Sequence, residues 1–419
     1  MVRPKLAQRS FLKWRLPRLE LTEEQMTPGA MEYDAGELEG PFAEVRSAVA
    51  AAKQKLDSIP EKDFARLMRA LDLYASLRAR LKAETNLLIS TNASLKMYEL
   101  LVQMELVGAG AADVKAFCDA ELPGAFVVAV NHYVRTQRPG VSFDWVASSY
   151  MPDAASRSAA DSTILGDSYG IYARNRDHWL MGPPPNAQPE KAQPITGDLT
   201  DADVVATLAD AVRLRFAATR GATLCTGDAG IDVSEDYNRQ EELTSLLNAG
   251  QILCAVLAMA PGGCLVMKQY TFVTRFSRSL IALMAALFDE FYVTKPLTSR
   301  PANSEVYLVG KGFRGISDRL ATALLDRLAA YRAAAGTTPC DWSPLLDPAL
   351  TAPIDRVLLK AARQLHSSQQ VAFIEEAARF YAQGLRSIDL RREAEQVQAQ
   401  WLRDNPIARL RDDAQLPSN

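Results

Sequence analysis

The sequence predicts an α/β protein built on an open, mostly parallel sheet. Three observations carry that prediction. Apolar runs of strand length alternate with amphipathic runs of helical length, and the runs are joined by turns rich in glycine and acidic residues. Those turns place charged side chains at strand ends, which in an open α/β sheet form the edge where ligands bind.

Composition sets the outer limits. The 419 residues allow one large domain or roughly two to three ordinary ones, and a hydrophobic content of 48% supplies a substantial core. No apolar run reaches the roughly 18 residues needed to cross a bilayer. Ile252 to Ala260 is short and meets Pro261-Gly262-Gly263, so no membrane span is expected. A formal charge of -3 lacks the general basic excess of a protein that grips nucleic acid non-specifically, which confines any RNA site to a local patch. The five cysteines, Cys118, Cys225, Cys254, Cys264 and Cys340, are scattered singly and form neither a disulfide framework nor a zinc spacing. Reduced thiols in a cytosol-like compartment follow. The three histidines, His132, His178 and His366, are too dispersed for a metal site or a hydrolase.

Residues 1–41 read as a basic arm followed by an acidic linker. Arg3, Lys5, Arg9, Lys13, Arg15 and Arg18 are interleaved with Phe11, Leu12, Trp14 and Leu16 and with no acid. Such a segment suits an organelle transit peptide, an arm on RNA phosphates or a flexible tail. Residues 42–90 form a helical N-terminal extension, read as two helices broken near Ser58-Ile59-Pro60 with Leu67, Leu71, Tyr74 and Leu77 at helical spacing. A further helix, about Ala93 to Val107, carries Lys96 and turns Leu95, Leu101, Met104 and Val107 inward.

Val114 to Cys118 predicts the first parallel strand. It runs into Asp119-Ala120-Glu121-Leu122-Pro123-Gly124-Ala125-Phe126, where a small turn residue lets the backbone approach a ligand and the free amides of a new helix can receive an anion. Phe143 to Tyr150 predicts the second strand, ending in Ser148 and Ser149 where related nucleotide-binding folds often carry an acid. About 152–194 reads as a long insertion. Its neighbourhood carries Tyr150, Tyr172 and Trp179, suited to stacking on a base or a cationic cap, or to packing on the sheet. Gly197-Asp198-Leu199-Thr200-Asp201 precedes an amphipathic helix, with Asp201 the expected cap.

Ala222 to Cys225 is the next strand and leads into Thr226-Gly227-Asp228-Ala229-Gly230. Glu235 to Glu241 then opens a helix with Leu243, Leu246, Leu247, Ile252 and Val256 at core spacing. Cys264 to Met267 delivers Lys268 to the same edge as Asp228. Ser277 to Phe288 is an amphipathic helix, Phe291-Tyr292-Val293 a strand, and Glu305 opens a last strand through Val309. Residues 314–419 read as a C-terminal helical extension with Leu320, Leu324, Leu325 and Leu328 on one face and no evident chemistry.

The order of these blocks resembles the FtsJ-like (RrmJ-type) RNA ribose 2′-O-methyltransferase family. The likeness rests on Lys96, Asp228, Lys268 and Glu305, on Ala260-Pro261-Gly262-Gly263, on Lys295-Pro296 with Ser299-Arg300-Pro301, and on Gly197-Asp198. It covers roughly Thr91 to Phe313, so 91–313 is taken as the methyltransferase domain. The family implies a Rossmann-like methyltransferase fold, a mostly parallel seven-stranded sheet with an antiparallel last strand, and S-adenosyl-L-methionine as methyl donor. It further implies Lys268 as base, Asp228 and Glu305 as orienting carboxylates, and Lys96 steering the ribose hydroxyl. Cofactor contacts carried over are Glu121, Pro123, Gly124, Ala125, Phe126, Ser149, Asp198 at the adenine, and Asp228. The family's proline followed by two glycines appears here as Pro123-Gly124-Ala125, a departure at the methionine end.

The long insertion and helical extensions look more like viral or eukaryotic messenger RNA cap enzymes than the compact ribosomal type. Capped RNA is therefore the expected partner, with a protein partner on the extensions. A cytoplasmic setting is expected, in a viral factory or virion for a viral chain, with organelle targeting by the basic N-terminus as the other option. Ribosomal RNA methylation and a non-catalytic RNA-binding or assembly subunit stand as alternatives.

Overall fold

A computed structural model describes residues 10–29, 40–151, 166–181, 195–231, 233, 237–335, 343–384 and 389–417. Most of the insertion at 152–194, the first half of the basic arm, Glu235, Asp236 and Cys340 lie outside the described residues.

Among the described residues seven strands form one sheet: β1 (Leu12–Leu16), β2 (Asp113–Asp119), β3 (Ser142–Ala147), β4 (Ala222–Gly227), β5 (Met259–Gln269), β6 (Phe288–Lys295) and β7 (Val306–Phe313), in the order β1-β6-β7-β5-β4-β2-β3. β3, β2, β4 and β5 are joined by parallel pairings. β7 runs antiparallel between β5 and β6, and β1 runs antiparallel at the β6 edge. The expected sheet is therefore present. Its seventh strand, however, comes from the segment read as a basic arm. Leu12, Trp14 and Leu16 alternate with Lys13 and Arg15, a period of two that suits a strand with one covered face. Leu16 is buried, and Arg15 pairs with Glu290 at 3.2 Å.

The helices are α1 (Glu23–Met26), α2 (Pro41–Gln54), α3 (Glu61–Ala70), α4 (Ala75–Thr85), α5 (Asn92–Gln103), α6 (Ala125–Gln137), α7 (Ile171–Arg174), α8 (Ala202–Arg215), α9 (Gln240–Ala258), α10 (Arg275–Leu287), α11 (Asp318–Ala334), α12 (Pro348–Ala362), α13 (Val371–Gln383) and α14 (Arg391–Asp404). A π-helical stretch, Arg363–Gln370, joins α12 to α13. The N-terminal extension holds α2, α3 and α4, one helix more than expected. The second break falls where the Asp72 carboxylate accepts the Tyr74 amide at 3.0 Å, a local turn that competes with the helix. α5 stops before Val107 because Glu105 has a positive φ of 52°. β3 stops at Ala147, although the Ser148 amide still donates to the Cys118 carbonyl at 3.0 Å.

The two faces of the sheet are covered separately. On β2, Ala116 and Cys118 pack with α4, α5 and α6, whereas Phe117 faces the core shared by α8, α9, α10 and α12. This alternation makes β2 a doubly buried central strand. The C-terminal helices are not a separate appendage. Trp401 of α14 is fully buried in the α5–α6 core, and Phe373 and Ala377 of α13 share a small cluster with Leu67 and Leu71. No helix among the described residues is long and apolar enough to cross a membrane.

Candidate active site

β2 is flanked by β3 on one side and β4 on the other, so the chain reverses its order across the sheet between β2 and β4. The crevice at the carboxyl ends of those strands is the expected ligand site of an open α/β sheet. The four singled-out charged residues reach this rim from separate elements. Thr91 caps α5 through a capping box with Ser94, which fixes the helix start and places Lys96 in its second turn. Asp228 follows the last residue of β4. Lys268 is the penultimate residue of β5 and lies opposite Tyr307 of β7 in register. Glu305 immediately precedes β7.

Their charges alternate along one buried chain. The Lys268 amine lies 3.4 Å from Asp228 Oδ1, Asp228 Oδ2 lies 4.0 Å from the Lys96 amine, and that amine lies 3.0 Å from Glu305 Oε2. Lys268 also donates to the Asp228 carbonyl at 2.7 Å. Lys96, Lys268 and Glu305 are all buried, so the attractions are little screened by water.

The electrostatics have a definite direction. Burial by itself would push the Lys268 ammonium toward deprotonation, but Asp228 above all, with Tyr270 and Glu305 behind it, holds the amine above the ordinary lysine range. For Glu305, burial would raise the carboxyl; Lys96, Lys268 and Lys295 overcome it and bring it down to about 2. At rest Lys268 is thus an ammonium rather than a neutral amine, and Glu305 a carboxylate.

Further residues complete the arrangement: Tyr307 and Gln251, which the sequence did not single out, and Lys295, Ser299 and Gly227, which it placed in the blocks around the site. The Tyr307 hydroxyl donates to Asp228 Oδ1 at 2.8 Å, and the Lys96 amine sits 5.3 Å from the centre of its ring. Ser299 donates to Glu305 Oε1 at 2.7 Å. Lys295 donates to the carbonyls of Asn303, at 2.8 Å, and Glu305. On α9, Gln251 donates to the Lys268 carbonyl at 3.0 Å and accepts the Ala229 amide at 3.2 Å, tying the ends of β4 and β5 together. The signal for Gln251 is a stripe of polar residues at helical spacing, Glu241, Thr244, Asn248 and Gln251, all buried on a helix whose other buried residues are mostly apolar. Gly227 is needed here because a Cβ would come within 2.4 Å of Asp119 Oδ1 and 2.6 Å of the Met267 sulfur.

The turn after β2 departs from expectation in one respect. The α6 amides of Phe126 and Val127 do not stand free; both donate to Glu121 Oε1, at 2.8 and 3.0 Å. A carboxyl oxygen from the same turn satisfies the helix start internally. Gly124 adopts a φ of +103° to enter α6, a conformation that strains any side chain, and Ile171 packs within 3.0 Å of where a Cβ would sit. Pro123, Gly124 and Ala125 form the turn itself. Burial raises the Glu121 carboxyl to about 8 even against those two bonds, and raises Asp119 well above its usual range. Among the described residues, both Asp119 oxygens and the Ser148 hydroxyl lack a hydrogen-bond partner although buried. Ser149 accepts the Leu122 amide at 2.8 Å and so steadies the turn.

Asp198 lies farther along the crevice. Its Oδ1 accepts the Thr200 amide at 3.0 Å and hydroxyl at 2.7 Å, and its Oδ2 lies 3.1 Å from Arg332 of α11. Asp201 caps α8, as expected. Trp179 is buried edge-on against Trp145 and Tyr172, so it packs onto the sheet; Tyr172 lies under the Arg176 guanidinium, and Tyr150 is exposed.

A family model described as FtsJ-like methyltransferase matches residues 90–313. The chain is 36% identical over 325 residues to the "Probable methyltransferase EP424R" of African swine fever virus (isolate Pig/Kenya/KEN-50/1950), covering 77% of this chain and 70% of the relative. It is 32% identical over 249 residues to "Uncharacterized protein L511" of Acanthamoeba polyphaga mimivirus, covering 59% of this chain and 29% of that protein. It is 26% identical over 267 residues to the "Cap-specific mRNA (nucleoside-2'-O-)-methyltransferase 2" of Drosophila melanogaster, covering 63% of this chain and 36% of that protein.

Proposed function

The chain belongs to the FtsJ-like methyltransferase family, and from that premise we propose that it methylates the ribose 2′-hydroxyl of the cap-proximal nucleotide of messenger RNA, using S-adenosylmethionine. The observation that carries this reading is the buried Lys268–Asp228–Lys96–Glu305 chain at the carboxyl rim of the sheet. The choice of capped RNA draws support from the relative named for cap-specific methylation.

A ribose hydroxyl is a poor nucleophile at neutral pH and must be deprotonated or strongly hydrogen-bonded to react. S-adenosylmethionine, when bound, supplies an electrophilic methyl group on a sulfonium. Lys268, once neutral, accepts the 2′-hydroxyl proton at its amine. Asp228 orients that amine, Lys96 steers the hydroxyl oxygen, and Glu305 holds Lys96 in place. Because Asp228 keeps Lys268 charged at rest, the lysine must shed a proton before it can serve as base. Burial favours that loss, and any further positive charge brought beside the amine acts in the same direction.

The residues at the crevice fit such a cofactor. The oxygens of Asp119 and the hydroxyl of Ser148, unpartnered among the described residues, suit polar contacts at the switch point. Glu121, Pro123, Gly124, Ala125 and Phe126 would surround the methionine portion, and Ser149 the ribose. Asp198 would take the adenine amino group while still paired with Arg332, and Asp228 would lie nearest the reacting centre.

Radiolabelled methyl transfer to short capped and uncapped transcripts tests the reading, with Lys268→Ala as control. Label on capped RNA alone, lost in Lys268→Ala with cofactor binding retained, is the expected result. Equal labelling of uncapped RNA points to the ribosomal alternative. Binding of both RNAs without label would overturn the enzymatic reading in favour of a binding or assembly subunit.

A further inference from the structure

The loop from β6 to β7 carries both Ser299 and Glu305; its start is held by Glu99, which is itself bonded by a residue beyond the matched family region, and its end is held directly by another such residue. At its start, the Leu297 amide donates to Glu99 Oε1 at 2.6 Å, and the Thr298 amide and hydroxyl donate to Glu99 Oε2 at 3.2 and 3.0 Å. Glu99 lies one turn beyond Lys96 on α5. Its Oε2 also accepts the indole N–H of Trp401 in α14 at 3.1 Å. At the loop's end, the Gln370 amide nitrogen donates to the Ala302 carbonyl at 2.8 Å and to the Ser304 hydroxyl at 2.9 Å.

Gln370 closes the π-helical stretch and is 1% exposed, so these bonds have no water to replace them. Its orientation is fixed from behind. The amide nitrogen is committed to a carbonyl, so its Oε1 must face His366, whose Nδ1 lies 3.0 Å away and acts as the donor. Ser304 and Ala302 flank Asn303, whose side chain accepts the Glu305 amide. The displacement that matters is therefore short: moving the segment 302–304 moves the Glu305 carboxylate and, through it, the Lys96 amine.

We propose that the C-terminal extension is part of the catalytic apparatus, with Gln370 a positioning residue for Glu305 and Trp401 a positioning residue for the opposite end of the same loop. This rests on the proposed methyl transfer for its activity readout. The match to the family model ends at residue 313, so these two contacts are additions made by the rest of this chain.

The test uses the full chain with Gln370→Met, which keeps the volume and removes the amide, and Trp401→Phe, which keeps a ring and removes the donor. An unpaired buried carbonyl and hydroxyl should lower kcat by about tenfold, within the cost of leaving buried polar groups unsatisfied. KM for the methyl donor should change by less than about threefold, because the Asp119–Phe126 turn is not part of the brace. Hydrogen exchange of the peptide spanning 297–305 should accelerate in both variants. A folded Gln370→Met protein with kcat within twofold of wild type, or with unchanged exchange over 297–305, overturns the proposal; Trp401→Phe decides by the same measures if Gln370→Met does not fold. Exchange needs no RNA, so a wild type that labels no transcript would sink the methylation reading while still leaving the brace open to test.

Discussion

Replacing Glu305 with Gln isolates the charge of one carboxylate at the centre of the site. The substitution preserves shape and leaves an amide oxygen to accept from Ser299, but Lys96 loses the partner at 3.0 Å that neutralises it. Both side chains are 8% exposed, so water cannot take the carboxylate's place. Removing one member of a buried ion pair costs about 3–5 kcal/mol. Asp228 still faces Lys96 at 4.0 Å, which argues for the lower end, about 3 kcal/mol. With a urea slope of roughly 3 kcal/mol/M, the unfolding midpoint should fall by about 1 M at pH 7, with the slope unchanged. The pH dependence supplies a second check. The Glu305 carboxyl lies at about 2 in the folded chain, below its unfolded value, so its contribution is present above the unfolded pKa and disappears as pH falls through the folded one. The gap between wild type and Glu305→Gln should therefore narrow from about pH 4.5 downward. A midpoint shift below about 0.3 M at pH 7, or a gap that does not narrow in acid, would refute the claim that Glu305 is a buried, charge-paired group.

Two further outcomes follow from the same geometry. Asp228 holds Lys268 above the ordinary lysine range, so the single-turnover rate of methyl transfer should rise about tenfold per pH unit from pH 7 to 9, with a plateau below pH 8 counting against Lys268 as the base. Tyr307→Phe removes the hydroxyl bonded to Asp228 at 2.8 Å; kcat should fall roughly tenfold and the alkaline limb should move to higher pH, because an Asp228 relieved of that bond grips Lys268 more firmly. A Tyr307→Phe profile superimposable on wild type would show that the hydroxyl plays no part in orienting the aspartate.

The charged chain was legible because its members sit at places where sequence patterns are strong. Asp228 follows an apolar run through a glycine, and Lys268 ends a run that begins after Pro261-Gly262-Gly263. Tyr307 and Glu99 were not legible, because they act through partners distant in the chain; a tyrosine within an apolar strand reads only as core. Glu121 illustrates a different limit. The turn reads as an anion-accepting helix start, but nothing in the spacing tells whether the acceptor comes from a ligand or, as here, from the turn's own carboxyl group. The C-terminal extension looked chemically silent for a similar reason. Arg332, Gln370 and Trp401 reach Asp198, Ser304 and Glu99 across long sequence separations, which periodicity does not report.

β1 was the largest surprise in the fold, and its place at the sheet edge bears on how the polypeptide assembles. The Thr294 hydroxyl reaches the Leu12 carbonyl across 282 positions. At a ribosome adding roughly 5–20 residues per second, Leu12–Leu16 emerges well over ten seconds before its mate does. During that interval it has no native neighbour, and Lys13 and Arg15 on alternate positions keep it from zipping onto other nascent chains. β1 can thus dock only once β6 has been made, when it covers the open flank of that strand.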